Sequence, residues 1–231
     1  MLALPLITVT SIQDENKLKI KITKIVLFTL ALFFSIKSQG QKSFEGVIKF
    51  STYISTTNLA PPDFKGQLQA KYGDSIVMYY SENGNFKRIY KNSSESGNDS
   101  QLYLAKKSML YITDKSGQID SINVGVNSLK LIKEKEVVNE IIIGLDCDCH
   151  QYEAISIYDQ HVILTYCFSK KTPMINPALY TEHIDFFLWD FYKMAKRPYL
   201  KFSIQTEEFE FSYVASELKI QSLDKKLFQL K

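Results

Sequence analysis

A cysteine cluster in the second half of the chain comes closest to a chemical motif. It reads Cys147-Asp148-Cys149-His150, and the third cysteine is Cys167. In a β-strand Cys147 and Cys149 face the same side, and a hairpin centred on Tyr158 pairs position 149 with position 167. A Cys149–Cys167 disulfide is therefore geometrically possible, and an oxidising compartment favours it. Two alternatives stay open: Cys147 is the partner instead, or all three thiols are reduced or buried.

Metal binding and catalysis receive little support from these residues. A closed zinc site needs four converging ligands, but the two thiols of the Cys-x-Cys pair point along one pleat and His150 points to the opposite face. A thiol nucleophile would need a nearby base, and neither His161 nor His183 stands in a recognisable local signature. We predict no catalytic residue, no metal ligand and no cofactor, and therefore a protein that is not an enzyme.

Two carboxylates in the last quarter of the chain are also poor candidates for catalysis. Asp185 and Asp190 lie five positions apart on a predicted helix, so they do not share a face. We interpret both as surface or edge charges, and the neighbouring His183 as a solvated or interface residue.

An aromatic helix is the candidate binding surface. Asn176-Pro177 is typical of a helix start and Lys196-Arg197-Pro198 of a helix stop, which predicts one helix from Pro177 to about Ala195. The candidate ligand-binding residues on it are Phe186, Phe187, Trp189, Phe191 and Tyr192. Aromatic residues at this spacing either line an apolar cavity under a curved sheet or pack in the core, and both interpretations stay open.

The elements that must position these residues are mostly strands. The chain has 14 Tyr and 15 Phe, and most segments after residue 43 alternate apolar with polar residues. Asn83-Gly84 predicts a hairpin between strands 74–80 and 86–91, because this dipeptide supplies positive φ angles. Later strands are predicted at 129–133 and 137–145. The predicted fold is mainly β (α+β): a curved antiparallel β meander or incomplete β-barrel with one covering helix near residues 177–195.

The N-terminal segment predicts export. Lysines from Lys17 to Lys24 precede an apolar run, Ile25 to Ile36, and small residues follow at Ser38 and Gly40. We predict a signal peptide over residues 1–40, cleaved near Gly40, and a single β-rich domain over 41–231 in the periplasm or outside the cell. A retained membrane anchor is the alternative, but the apolar run is shorter than the roughly 20 residues that span a bilayer.

The charge balance argues against nucleic-acid binding. The whole chain has a formal net charge of +3, from 28 basic and 25 acidic residues. Five lysines and two acidic residues lie before residue 41, so the two signs are equal in the predicted mature chain. A neutral chain has no general attraction to a polyanion.

Three short motifs stand out, at 143–147 with 151–153, at 198–202, and at 218–220 with 227–228. They resemble those of secreted domains of unknown function that are common in Bacteroidota, with a lipoprotein-carrier (LolA-like) type of fold. The resemblance implies a curved, incomplete barrel that is covered by helix and encloses an apolar chain. It supplies no catalytic residue to carry over.

Two functional hypotheses follow. The first is an exported non-enzymatic binding module that holds an apolar ligand, a lipid or a lipoprotein, in a half-barrel. The second is a cell-envelope interaction or structural module that binds an envelope protein through its sheet, without a small-molecule ligand. We predict a monomer in either case.

Overall fold

The computed structural model describes residues 43–230. The predicted signal peptide and its cleavage site lie outside these residues and remain predictions. In chain order the elements are β1 (Gly46–Thr56), α1 (Phe64–Tyr72), β2 (Ser75–Tyr80), β3 (Phe86–Lys91), β4 (Asn98–Leu104), β5 (Met109–Asp114), β6 (Ile119–Asn123), β7 (Leu129–Ile142), β8 (Leu145–Ser156), β9 (His161–Phe168), α2 (Leu188–Ala195), β10 (Lys201–Gln205) and β11 (Phe209–Ile220). Short 3₁₀ turns lie at Ala105–Lys107, Pro177–Leu179, Asp185–Phe187 and Lys225–Phe228.

The eleven strands form one antiparallel sheet in the order β6-β5-β4-β3-β2-β1-β11-β10-β9-β8-β7. Neighbours in sequence are neighbours in the sheet, except that β1 pairs with β11 and that β6 and β7 lie at opposite edges. The sheet is curved and open rather than closed into a barrel. The predicted fold class, a curved antiparallel meander with helical cover, is confirmed.

Strand alternation selects the side chains that enter the interior. In β1, Ile48 and Phe50 are buried whereas Lys49 between them is exposed. The largest fully buried side chains are mostly tyrosines: Tyr80, Tyr90, Tyr103, Tyr152, Tyr166, Tyr180, Tyr192 and Tyr199. A buried tyrosine usually needs a partner for its hydroxyl, and the hydroxyl oxygens of Tyr80 and Tyr192 lie 3.3 Å apart. The tyrosine-rich core therefore holds sheet and helix together by specific polar contacts as well as by the burial of apolar surface.

Two hairpins differ in detail from the sequence prediction. The β2–β3 hairpin forms, with Tyr80 opposite Phe86, but Gly84 alone of the Asn83-Gly84 pair has a positive φ, of 87°. Residues 129–145, predicted as two strands, form one 14-residue strand, β7, and then a two-residue turn at Ile143-Gly144. Both turn residues have positive φ, 47° and 74°, which twists this turn to match its strands.

The predicted helix over 177–195 is wrong in its length. Only Leu188–Ala195 is α-helical, and the residues before it form two separate 3₁₀ turns. The helix starts late because Phe186 and Phe187 adopt left-handed φ angles of 55° and 56°. The N–H groups of the two preceding residues donate to the carbonyl of Val124 instead of to their own chain four residues back. Tertiary hydrogen bonds thus override the helical pattern. The predicted end is correct, since Lys196 closes the helix with φ 52°.

Helix α1 was not expected from the sequence. It follows Pro61-Pro62, contains Gly66 and buries no residue fully, so it lacks the amphipathic pattern that would reveal it. It packs against the sheet through Tyr72, whose ring lies 5.0 Å from that of Phe211. Among residues 43–230, neither helix has the length and apolar character to cross a membrane.

Candidate apolar binding cavity

A cavity of about 500 Å³ lies on the inner face of the curved sheet. Both halves of the sheet contribute apolar side chains to its wall, among them Phe86, Leu110, Ile112, Phe202, Ile204 and Phe211. Its volume falls within the range of about 300–1,000 Å³ that is usual for small-molecule sites. Lys71, Asp120 and Ile122, which are exposed to solvent, mark its mouth.

Helix α1 forms one side of the cavity. Leu68, Lys71 and Tyr72 line the wall from the last two turns of this helix. The ring of Tyr72 also contacts that of Tyr90 on β3, at 6.0 Å between centroids. The connection between β1 and β2 therefore becomes part of the site.

Residues 183–188 cover the other side. The N–H groups of Ile184 and Asp185 donate to the carbonyl of Val124, at 2.9 and 3.1 Å, after the end of β6. Further along, the hydroxyl of Tyr166 on β9 donates to the carbonyl of Phe186 at 2.9 Å. The segment is thus tied to both halves of the sheet and spans the space between them.

Asp185 holds this segment from its side chain as well. Its Oδ1 accepts hydrogen bonds from the backbone N–H of Ser128 at 3.0 Å and from the Ser128 hydroxyl at 2.8 Å. The carboxylate is buried, so the prediction of a surface charge is wrong for Asp185; Asp190 is exposed as predicted. Asp185 therefore holds residues 183–188 in place. None of its contacts with the described residues indicates proton transfer.

His183 lies on the cavity wall and is only 6% exposed, which corrects its interpretation as a solvated residue. Its ring packs on Tyr103 at 4.8 Å and on Phe86 at 5.8 Å. Burial, with a smaller contribution from the charge of Arg88, lowers the pKa of His183 to about 3. His183 is therefore a neutral ring in this wall at physiological pH.

Arg88 is the cationic side chain inside the cavity. It lies on β3 between Phe86 and Tyr90, and all three side chains line the wall. Nη1 donates to Oε1 of Gln101 at 2.7 Å, and Nη2 donates to the hydroxyl of Tyr199 at 3.1 Å. Sequence reasoning missed Arg88. The signal was present, because strand alternation places it on the same face as two large aromatic residues.

The five aromatic residues predicted to bind a ligand do not act as one group. Phe186 lines the cavity. The other four, Phe187, Trp189, Phe191 and Tyr192, are not among its lining residues. Phe187 stacks on Tyr152 at 5.2 Å, Phe191 stacks on Tyr166 at 4.6 Å, and the Tyr192 ring lies 4.6 Å from that of Tyr180. Trp189 is partly buried, with the Lys193 amine 5.2 Å from its ring. The helical aromatic stripe mainly packs in the core.

The cysteine cluster lies away from the cavity. Cys149 on β8 is directly opposite Cys167 on β9, the register that the hairpin predicts, and a disulfide joins them with an S–S distance of 2.06 Å. Cys147 is a buried free thiol whose Sγ lies 3.4 Å from the carbonyl of Leu145. Burial raises the pKa of this thiol, which disfavours the reactive thiolate. Glu140 lies near the paired sulfurs, but disulfide sulfurs are not thiolate ligands for a metal.

Comparison with known proteins finds fold likeness only at low identity. No protein-family model matches the chain, and no curated protein matches it. The chain is similar to a LolA superfamily protein from Nitrosomonas europaea, with 14% identity and a TM-score of 0.35, covering 82% of this chain and 91% of that one. It is also similar to an outer membrane lipoprotein-sorting protein domain from Vibrio parahaemolyticus, with 8% identity and a TM-score of 0.36, covering 79% and 89%. TM-scores of this size do not indicate close superposition.

Proposed function

We propose that the protein is an exported, non-enzymatic binding module that holds an apolar ligand, such as a lipid or the acyl chain of a lipoprotein, in its half-barrel. The cavity of about 500 Å³ on the inner face of the sheet carries the proposal. Its walls are mainly aromatic and aliphatic, and burying an apolar ligand there removes apolar surface from water. Export rests on the predicted signal peptide, which would place the module in the periplasm or outside the cell.

The walls also support a non-catalytic role. His183 is a neutral ring without a hydrogen-bond partner for Nδ1 among the described residues. Asp185 accepts a hydrogen bond from the Ser128 hydroxyl. Neither forms the nucleophile–base contact that acyl or glycosyl transfer requires. The polar groups of the cavity are suited to orienting a ligand rather than to attacking it.

Native mass spectrometry of the protein produced by export into a bacterial periplasm tests the proposal. We expect the native spectrum to show the protein with the additional mass of a bound apolar ligand. The spectrum under denaturing conditions should show the protein without that mass. Ile112→Trp adds bulk to the cavity wall and should remove that mass while the protein stays folded. The matched control is Tyr111→Trp on the same strand, because residue 111 points to the other face of the sheet and is not on the wall. A wild-type chain that carries no ligand, and binds none when lipids are supplied, would contradict the proposal.

A second candidate function uses the sheet edge, as an interaction module for an envelope protein. Strand β7 lies at the edge, and two of its apolar side chains, Val138 and Ile141, are 87% and 77% exposed. An exposed edge strand offers unpaired backbone groups to a partner strand. The double variant Val138→Lys, Ile141→Lys should no longer capture the envelope protein that the wild type captures. Its lipid binding should be unchanged. Capture that persists in this variant would contradict the edge as the binding surface.

A further inference from the structure

Arg88 is placed in the cavity by the register of the sheet. It lies opposite Met78 of β2 and Gln101 of β4, in the middle of strand β3. Its neighbours on the same face are the aromatic rings of Phe86 and Tyr90. Arg88 is half-buried, and it lines the cavity together with the residues that contact its guanidinium.

The contacts of this guanidinium are all with neutral groups. Gln101 and Tyr199 accept from its two terminal nitrogens, and the ring of Tyr213 lies 5.6 Å from its central carbon. Its Nε atom is fully buried and is therefore out of reach of a ligand, and the Tyr90 hydroxyl also bonds to the guanidinium. A guanidinium has five N–H donors in a planar fork, so donors remain for another acceptor.

The cavity supplies no counter-charge that pairs with Arg88. Burial raises the pKa of Tyr90 and of Tyr213, so both hydroxyls are neutral at pH 7. Two carboxylates line the wall. Asp185 accepts two hydrogen bonds from Ser128, and Asp120 is exposed to solvent at the mouth of the cavity. Within residues 43–230, no ion pair involves Arg88. A guanidinium that is partly withdrawn from water and has no ion-pair partner offers its charge to an anionic ligand.

We propose that the ligand is a single-chain amphiphile whose anionic head group, a carboxylate or a phosphate monoester, pairs with Arg88 while its apolar chain lies along the aromatic wall. This rests on the proposed binding function and specifies its ligand class. Planar guanidinium groups bind carboxylate and phosphate oxygens in a bidentate geometry, which a neutral head group does not match. Nη1 and Nη2 each carry a second N–H beyond those bound to Gln101 and Tyr199, and these two groups offer such a pair of donors.

Binding of three twelve-carbon probes tests the inference: dodecanoate, dodecyl phosphate and dodecanol, each below its micelle concentration. Displacement of the neutral dye N-phenylnaphthylamine reports their affinities. We expect at least one anionic probe to bind at least about tenfold more tightly than dodecanol, as charge-assisted hydrogen bonds predict. A preference for the phosphate over the carboxylate identifies a phosphate head group, and the reverse preference identifies a fatty acid.

Arg88→Met keeps an apolar side chain of similar length and removes the charge. In this variant the affinity for the anionic probe should fall to that for dodecanol, whereas dodecanol binding should be retained. Lys87→Met is the matched control, because it removes the same charge from the adjacent residue on the opposite face of β3. Arg88→Lys keeps the charge without the planar fork and should restore part of the preference.

The outcomes separate this inference from the proposed function. Equal affinities of the wild-type protein for all three probes would overturn the role of Arg88 and leave an apolar carrier. Failure of the dye and of every probe to bind would overturn both. If Arg88→Met does not fold, the affinities of the wild-type protein for the three probes are sufficient to test the role of Arg88.

Discussion

Nη2 of Arg88 lies 3.1 Å from the hydroxyl oxygen of Tyr199, and this hydroxyl donates in turn to Sδ of Met78 at 3.2 Å. Arg88 belongs to β3, whereas Tyr199 follows α2 and precedes β10. The contact therefore joins the two halves of the meander across the inner face of the sheet. It also fixes one terminal nitrogen of the guanidinium.

Tyr199→Phe should lower the free energy of unfolding by about 1–3 kcal/mol. The substitution keeps the ring but removes the acceptor of a partly buried, charged donor, and losing such a bond costs more than losing a neutral hydrogen bond. Urea denaturation at pH 7 measures the change. Tyr158→Phe is the control, because Tyr158 is 80% exposed and the loss of its hydroxyl should change stability by less than about 0.5 kcal/mol. Equal effects of the two variants would contradict the structural role of this contact.

Phe186→Ala and Phe191→Ala should have opposite consequences. Phe186 lines the cavity, so its truncation should weaken N-phenylnaphthylamine binding with a small loss of stability. Phe191 is 0% exposed and stacks on Tyr166, so its truncation should cost about 3–5 kcal/mol of unfolding free energy. Dye titration and urea denaturation of both variants separate the two effects. Unchanged dye affinity in Phe186→Ala would show that residue 186 is not part of the binding wall.

Reduction of the Cys149–Cys167 disulfide should lower the free energy of unfolding by about 2–4 kcal/mol, because the cross-link restricts the unfolded chain. The measurement is urea denaturation with and without a reductant. The Cys149→Ser, Cys167→Ser double variant should be insensitive to the reductant. Cys147→Ser should keep the sensitivity, since Cys147 is the free thiol. Loss of sensitivity in Cys147→Ser would instead identify Cys147 as the partner of Cys167.

Strand pattern and hairpin symmetry were sufficient to predict most of the sheet. The register that pairs residues 149 and 167 follows from the position of the turn at Tyr158 alone. Local patterns failed where tertiary hydrogen bonds determine the backbone. The break before α2 depends on the carbonyl of Val124, some 60 residues earlier in the chain, which accepts from Ile184 and Asp185. Nothing in the local sequence shows that contact.

The sequence left open whether the aromatic residues near positions 186–192 line an apolar cavity or pack in the core, and of the five named residues Phe186 lies on the cavity wall. The aromatic residues of a helix were the natural candidates for an apolar wall, but the wall is built mainly by strands, with Phe186 as the helical candidate that lines it. Curvature of the sheet decides which strand residues face the cavity, and curvature is a property of the whole sheet. Arg88 could have been found, because alternation alone places it between Phe86 and Tyr90.

His183 should make the protein less stable as the pH falls below about 6.5. Its pKa is about 3 in the folded protein, because burial disfavours the charged ring, and near 6.5 in the unfolded chain. Between these values the unfolded state binds a proton that the folded state does not, so the free energy of unfolding decreases towards acid. The full decrease from this residue between pH 7 and pH 5 is about 2 kcal/mol.

His183→Phe removes that titration while keeping a ring between Tyr103 and Phe86. The difference in unfolding free energy between pH 7 and pH 5 should therefore shrink by about 2 kcal/mol relative to the wild type. His161→Gln is the control, because it also removes one imidazole but at a position where the side chain is 42% exposed. NMR of the wild-type imidazoles adds a direct test, in which His183 should stay neutral from pH 7 to pH 4. Titration of His183 near pH 6.5 would contradict its burial in the wall and would place a protonated ring beside Arg88.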